Sequence, residues 1–513
     1  MSKVRVAHAV AAAAFVVGVF PLVAIAAEQP ALGEDRIQQD SIAGEALTFT
    51  QIRLAGLKMF TTPFNRLDGY GDGPVDPADT TNPGGRPTLG GNTTFLRVNG
   101  LDAQTCLECH TQISAATSPP LLGIGGVGGS NSNALIAPTH MNPADFPDAD
   151  GVADFNGRFA NPPFIFGSGG VELLGLEMTA ELQAIKQQAL ANPGVEFELT
   201  TKGVHFGTIQ ADLSGELDLS QVEGISDDLV VRPFGRKGEF ASVREFDIGA
   251  MRFHFGMEPV EAVGENVDND GDGVINEILV GELSALSIFL TTSDRPQVDP
   301  LTIGASRGFQ TFNDIGCTTC HMPALETDGE ELPYRFPEIP DQPFANEFYR
   351  ANLTQAPARF DKSGSGGLVV PLFADLKRHD MGPALAETFD LADEATNREF
   401  TTARLWGIAD TAPYLHDGRA TTLTDAILWH GGEAQAVRDA FAALTSDDKD
   451  DLLAFLRSLR TPHDPFKVLL NRARAAQNAS GGEESADGTV TFRQSRQREA
   501  AAEDDLVRKT RLE

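Results

Sequence analysis

All four cysteines of this 513-residue chain fall in two copies of one pentad, Cys106-Leu107-Glu108-Cys109-His110 and Cys317-Thr318-Thr319-Cys320-His321. C-x-x-C-H is the attachment pattern of c-type haem. Two cysteines three apart on a tight helical turn can each reach one vinyl group of a porphyrin, and the histidine that follows is then held under the iron. Two C-x-x-C pairs could instead share one zinc, and a single pair could be a thiol redox site. Neither chemistry needs a histidine after the second cysteine, and both pairs have one. The expectation is two covalently attached haems, so the fold must build two pockets around them.

The formal net charge is −33. That excludes nucleic acid and anionic membrane surfaces as partners and fits a small basic redox protein or a neutral substrate. Solubility alone also accounts for such acidity. Lys3 and Arg5, an apolar run from Ala9 to Ile25 and then Ala26 read as a secretory signal peptide over 1–26, with cleavage after Ala26 or Ala27. No later stretch is long and apolar enough to span a bilayer, so no stable membrane insertion is expected. Export agrees with the cysteine pattern, because c-type haem is attached outside the cytoplasmic membrane. The mature chain is expected in the periplasm.

The chain echoes itself. Each pentad follows a short helix carrying Gly and Phe, Gly56 to Phe60 in one case and Gly308, Phe309 and Phe312 in the other. Each half closes on an amphipathic helix stopped by proline: Phe289-Leu290 stands before Pro296 as Phe455-Leu456 stands before Pro462. A second echo relates Ala250–Gly256, with His254, to Ala412–Gly418, with His416. These repeats predict a mostly α fold of two cytochrome-c-like haem domains, with long Gly/Pro-rich loops and little β-structure. The first domain covers 28–296 and carries insertions; the second covers 297–470. The Ala-, Glu-, Arg- and Gln-rich stretch 471–513 reads as a disordered tail.

What occupies the iron position opposite His110 and His321 decides the chemistry, since a second strong ligand makes an electron-transfer haem and an open position one that can bind peroxide. For the first haem, His140, His205 and His254 are candidates, and an open or weakly held iron is favoured. In the C-terminal half, Leu405-Trp406-Gly407, Ala412–Ala420, Thr422–Ile427, His430–Ala434 and Leu453–Leu459 resemble the bacterial di-haem cytochrome c peroxidase and MauG superfamily. His379–Pro383 and Arg232–Lys237 resemble its di-haem oxidoreductase branch. The likeness spans roughly 45–465 and is dense after 300.

The resemblance implies a periplasmic di-haem oxidoreductase of peroxidase type. One haem would react with peroxide, and the other would relay electrons from a small redox protein. It implies that His430 stands where relatives place a distal methionine, giving a His321/His430 haem, with Met381 as competitor. His416 would be a structural or propionate contact and His379 a structural partner of Asp380. It implies a glutamate as the acid that moves protons between the peroxide oxygens. Glu172 is the expected residue, with Glu177 and Glu258 behind it. A tryptophan between the haems is common in relatives, whereas this chain has only Trp406 and Trp429. Two other readings stay open: oxidation of an organic or protein substrate by the same haem pair, and a non-enzymatic di-haem electron carrier.

Asn266-Val-Asp268-Asn-Asp270-Gly271, followed by Glu277, fits an oxygen-ligand calcium loop with asparagine first. A shifted frame through Asp268, Asp270, Asp272 and Gly273 fits as well. Separately, the resemblance implies a calcium between the haems, where Thr402 matches a ligand position.

Overall fold

The computed structural model describes residues 29–71, 103–110, 134–136, 157–159, 161–163, 165–387 and 394–462. The expected signal peptide, His140 and the tail from 471 lie outside them.

Two helix pairs carry the repeat. Helix Phe49–Thr61 starts at a capping box between Thr48 and Gln51 and packs on helix Val280–Thr291, which is buried from Gly281 through Thr291. Gly56 makes the close approach, since a Cβ there would stand 2.1 Å from the Ala285 carbonyl oxygen. Helix Ile303–Asp314 meets helix Ser446–Leu456 in the same way, and a Cβ on Gly308 would stand 1.9 Å from the Asp451 carbonyl oxygen. One turn on, Phe60 packs on Phe289 and Phe312 on Phe455, with ring centroids 5.8 and 5.4 Å apart. Backbones this close exclude any side chain at the crossing, which is why each pair has glycine there.

The second echo has a different register from the one read in the sequence. The equivalent turns are Phe234 to Phe240 and Tyr414 to Ala420, each closed by an isolated antiparallel bridge. Each turn holds a left-handed glycine, Gly238 or Gly418, and leads to a hydroxyl cap. Ser242 accepts from the Glu245 N–H to start helix Val243–Phe255, and Thr422 accepts from the Asp425 N–H to start helix Leu423–Leu428. His254 therefore sits at the end of a helix, not at the position of His416.

The expectation of a mostly α fold with little β-structure is overturned. Helix takes 37% and strand 15% of the described residues. Among the described residues the strands form six small sheets. A three-stranded sheet joins Glu196–Thr201, Val204–Ala211 and Leu217–Asp218; a hairpin joins Glu331–Arg335 to Glu347–Asn352. The remaining strands are two or three residues long, too short for a period-2 pattern to register against the loop composition around them.

Two hydrophobic cores result. The larger takes in helices 49–61, 168–191 and 280–291 together with Leu325, Leu332, Leu353, Leu368, Leu372 and Trp406. The smaller gathers Phe312, Phe373, Tyr414, Leu423, Phe441 and Phe455. Helix Ser168–Ala191 crosses helix 280–291 through a glycine: a Cβ on Gly169 would stand 2.1 Å from the Thr291 carbonyl oxygen. The larger core thus draws on both sides of the expected boundary at 296.

Candidate haem sites

The first pentad opens as a single helical turn, Cys106–Cys109, with the His110 N–H donating to the Cys106 carbonyl at 2.9 Å. The side chain of Cys109 lies outside the described residues. His110 Nδ1 stands 2.8 Å from the Pro163 carbonyl oxygen. A carbonyl can only accept, so Nδ1 carries the proton and Nε2 keeps its lone pair for a metal. Burial pushes the His110 ring down to about 4; the Pro163 hydrogen bond opposes this and the charge of His254 adds to it. His254 is thus the histidine brought near His110. His205 is instead exposed on the hairpin beside Thr200, its Nδ1 3.2 Å from the hydroxyl.

The second pentad forms the 3₁₀ turn Cys317–Thr319, and the His321 N–H donates to the Cys317 carbonyl at 3.0 Å. His321 Nδ1 donates to the Phe373 carbonyl at 3.0 Å, and burial with the charge of His430 pushes this ring down to about 4. His430 Nδ1 donates to the Ala426 carbonyl at 2.9 Å, and burial lowers its pKa too. The two ring centroids stand 6.4 Å apart, with the ring planes tilted by 56°. Two iron–nitrogen bonds of about 2 Å, with the two ring radii added, span roughly 6 Å, so the pair fits axial ligation of one iron. The Met381 carbonyl approaches Gly431, next to His430.

The donor set passes a second test. Arg404 is half-buried as a residue, its Nη1 is sealed off without a partner among the described residues, and burial lowers its pKa to about 10. Trp406 is 1% exposed and its indole N–H is also unpartnered there. The stretch between them is tied to the proximal segment, since the Leu405 N–H donates to the Leu372 carbonyl, beside Phe373. Unpaired buried donors ask for acceptors, and a haem brings two carboxylates. Sequence reasoning missed Arg404, because no spacing marks it.

His379 has other partners than Asp380. Its Nε2 lies 2.8 Å from Asp375 and its Nδ1 2.7 Å from Glu433. Burial alone would lower its pKa, but hydrogen bonds to Asp375 and Cys320 win and raise it to about 11. Asp380 pairs with Arg398, and the Thr402 hydroxyl donates to Asp375 at 2.7 Å. His416 stacks on Phe400 at 4.5 Å. Trp429 is 40% exposed under Arg419, whereas Trp406 is packed against Gly167 and Phe360.

Each glutamate considered as a proton carrier has a structural occupation. Glu172 is 3% exposed; one oxygen lies 3.3 Å from Arg335 and the other accepts the Val243 N–H at 2.9 Å. Burial raises its pKa to about 7 against the charge of Arg335. Val243 and His254 occupy opposite ends of one helix, about 16 Å apart at 1.5 Å per residue, so Glu172 is remote from the His254 end. Glu177 accepts the Asp328 and Gly329 N–H groups and pairs with Lys202. Glu258 accepts the backbone and side-chain N–H groups of Asn269, each at 3.0 Å.

Glu258 also enters the acidic loop. The ligand atoms of Glu258, Asp270 and Glu277 lie within 4.8 Å of one another, as do those of Asp268, Asp270 and Asp272. Asn266, the first position of the motif, is instead paired with Asn276 through both its N–H and its side-chain oxygen.

Residues 364–459 match the family described as "Di-haem oxidoreductase, putative peroxidase". A search of the curated proteins returned no match. Among solved structures, hydrazine synthase of Kuenenia stuttgartiensis is 16% identical over 89% of this chain and 100% of its own, with a TM-score of 0.30. The di-haem peroxidase BthA of Burkholderia thailandensis E264 is 13% identical over 80% of this chain and 88% of its own, with a TM-score of 0.34. A MauG-like protein associated with microbial copper homeostasis is 15% identical over 57% and 88%, with a TM-score of 0.24.

Proposed function

We propose that this chain, a di-haem oxidoreductase of peroxidase type by the family match of residues 364–459, works as an exported peroxidase with two covalently attached haems. The observation that carries this reading is His430, whose ring centroid stands 6.4 Å from that of His321; at the first pentad the charge of His254 reaches the His110 ring. Cys106, Cys109 and His110 would hold the first haem, and Cys317, Cys320 and His321 the second. Bound haem supplies one-electron chemistry and, where a position is open, a place for peroxide.

The chain's own residues divide the work. The Phe373 and Ala426 carbonyls hold the Nδ1 atoms of His321 and His430, so both Nε2 atoms would be free to hold the second haem, which would supply electron transfer. At the first pentad, His254 would be the group that holds and moves the proton for peroxide cleavage. Glu172 is a positioning residue, because it anchors the start of the helix whose far end carries His254. A small redox protein delivers electrons, and the acidic loop at 266–277 holds calcium. Export rests on the apolar run from Ala9 to Ile25; no helix among the described residues is long and apolar enough to cross a membrane.

The test is an EPR and visible spectrum of the holoprotein, oxidised and half-reduced, with and without hydrogen peroxide. The expected result is one low-spin haem and one that reacts with peroxide, and slower peroxide consumption in His254→Ala with both haems retained. Two low-spin haems blind to peroxide in both states would overturn the reading and make the chain an electron carrier.

A further inference from the structure

Helix Val243–Phe255 and helix Val280–Thr291 are joined by an acidic loop whose ends are pinned together. The Val260 N–H donates to the Ile278 carbonyl at 2.9 Å, and the Glu258 N–H donates to a Glu277 carboxylate oxygen at 2.6 Å. This closure brings three carboxylates inside. Glu258, Asp270 and Glu277 are each 2% exposed, with ligand atoms within 4.8 Å of one another. Glu258 lies outside the sequence motif, and only the fold delivers it.

Three buried carboxylates at this separation repel one another, and ionised groups are not left buried without a counter-charge. Among the described residues no lysine or arginine forms an ion pair with any of the three. Asp270 makes the deficit specific. Its Oδ2 is sealed from solvent and has no hydrogen-bond partner among the described residues, while the N–H groups of Asn269, Gly271, Asp272, Gly273 and Val274 are spent on other carboxylate oxygens. A buried acceptor oxygen in that state is free to serve as a ligand atom.

We propose that Glu258, Asp270 and Glu277 form the inner ligands of a Ca²⁺ site, with Asp268 and Asp272 as its outer carboxylates. The site deepens the calcium element of the function proposed above and does not depend on its haem chemistry. The donors are all oxygen, which excludes soft and borderline metals as the preferred occupant. Ca²⁺ accepts six to eight oxygens at flexible geometry, whereas Mg²⁺ keeps most of its water and uses one or two carboxylates. Asp270 with the four carboxylates around it fits the larger ion.

The ion would tie three segments together. Glu277 packs on Gly69, where a Cβ would stand 2.2 Å from Glu277 Cγ, and the Gly71 N–H donates to the Phe255 carbonyl. The site therefore braces the end of the helix that carries His254 against the turn at 65–71.

The holoprotein is stripped with EDTA, desalted, and titrated with CaCl₂ by calorimetry, with metal content read by mass spectrometry and unfolding by circular dichroism. The wild-type chain is expected to bind calcium and unfold at higher temperature with it. Asp270→Asn, which removes charge without adding bulk, is expected to lose one equivalent and most of that shift, with both haem spectra unchanged. Glu277→Gln is the second variant, should Asp270→Asn fold poorly. Wild-type protein that binds no calcium at millimolar concentration, or folded variants that bind as many equivalents as wild type, would overturn the site. Loss of haem reactivity with calcium binding intact would count against the peroxidase reading alone.

Discussion

The ring centroids of His321 and His430 stand 6.4 Å apart, and each ring is held by a hydrogen bond from Nδ1 to a backbone carbonyl. That arrangement leaves both Nε2 atoms as the available ligand atoms. Replacing one imidazole of such a pair by a thioether raises the potential of the iron it holds. His430→Met is therefore expected to raise one haem's midpoint by on the order of 100 mV and leave the other within error. His430→Ala should turn one low-spin EPR signal high-spin. If both signals survive in His430→Ala, His430 is not a ligand and Met381 becomes the residue to replace.

The glycine crossings make a stability prediction. A methyl group at Gly308 would overlap the Asp451 carbonyl, which belongs to helix backbone and cannot swing away. The helices must separate, and overpacking of this kind costs about 1–3 kcal/mol. Gly308→Ala should lower the urea midpoint accordingly, and Gly56→Ala, opposite Ala285, should do the same. A change below about 0.5 kcal/mol in both would mean that the pairs are not packed at these glycines.

Lys202 tests the ion cluster that ties a hairpin to the rest of the fold. With Gly203 it forms the turn between strands Glu196–Thr201 and Val204–Ala211, both residues at positive φ. Its amine lies 3.1 Å from Glu177, 3.0 Å from Glu181 and 2.8 Å from Asp328, with 8% of its side chain exposed. Burial alone would lower the lysine pKa, but these three partners raise it above its ordinary value. Lys202→Met leaves Glu177 buried without its cation and is expected to cost about 3 kcal/mol by urea unfolding. A cost under about 1 kcal/mol would place the ion cluster among those that solvent screens.

The legible features were those where chemistry or close contact demands a residue type at a set spacing. The pentads are of this kind, and so are Gly56 and Gly308, with Phe289 and Phe455 across from them. His254 was harder to read, since its nearness to His110 depends on how helix 243–255 crosses the molecule. Glu258 joins Asp270 and Glu277 only because Val260 pairs with Ile278. The small sheets were missed for a related reason. Leu459 pairs with Val298, and Val370 with Leu325, in strands too short to alternate visibly and too far from their partners for a turn to signal them. Arg404 and Trp406 are defined by the partners that they lack, which no pattern of residues records.

Glu172 gives the stability of the chain a defined pH dependence. Burial raises its carboxyl from an ordinary 4.5 to about 7, against the charge of Arg335. Below pH 4.5 folded and unfolded states both hold the proton, and the contribution of this group is fully present. Between 4.5 and 7 the unfolded chain releases the proton while the folded one keeps it, so stability falls as pH rises. Above 7 the loss is complete, on the order of 3 kcal/mol. Glu172→Gln cannot titrate but can still accept the Val243 N–H. Urea midpoints measured between pH 5 and 8 are expected to decline less steeply in this variant than in the wild-type chain. Parallel profiles would show that the Arg335 pair keeps Glu172 ionised throughout, and the decline would then have to come from Asp247, whose carboxyl burial also raises.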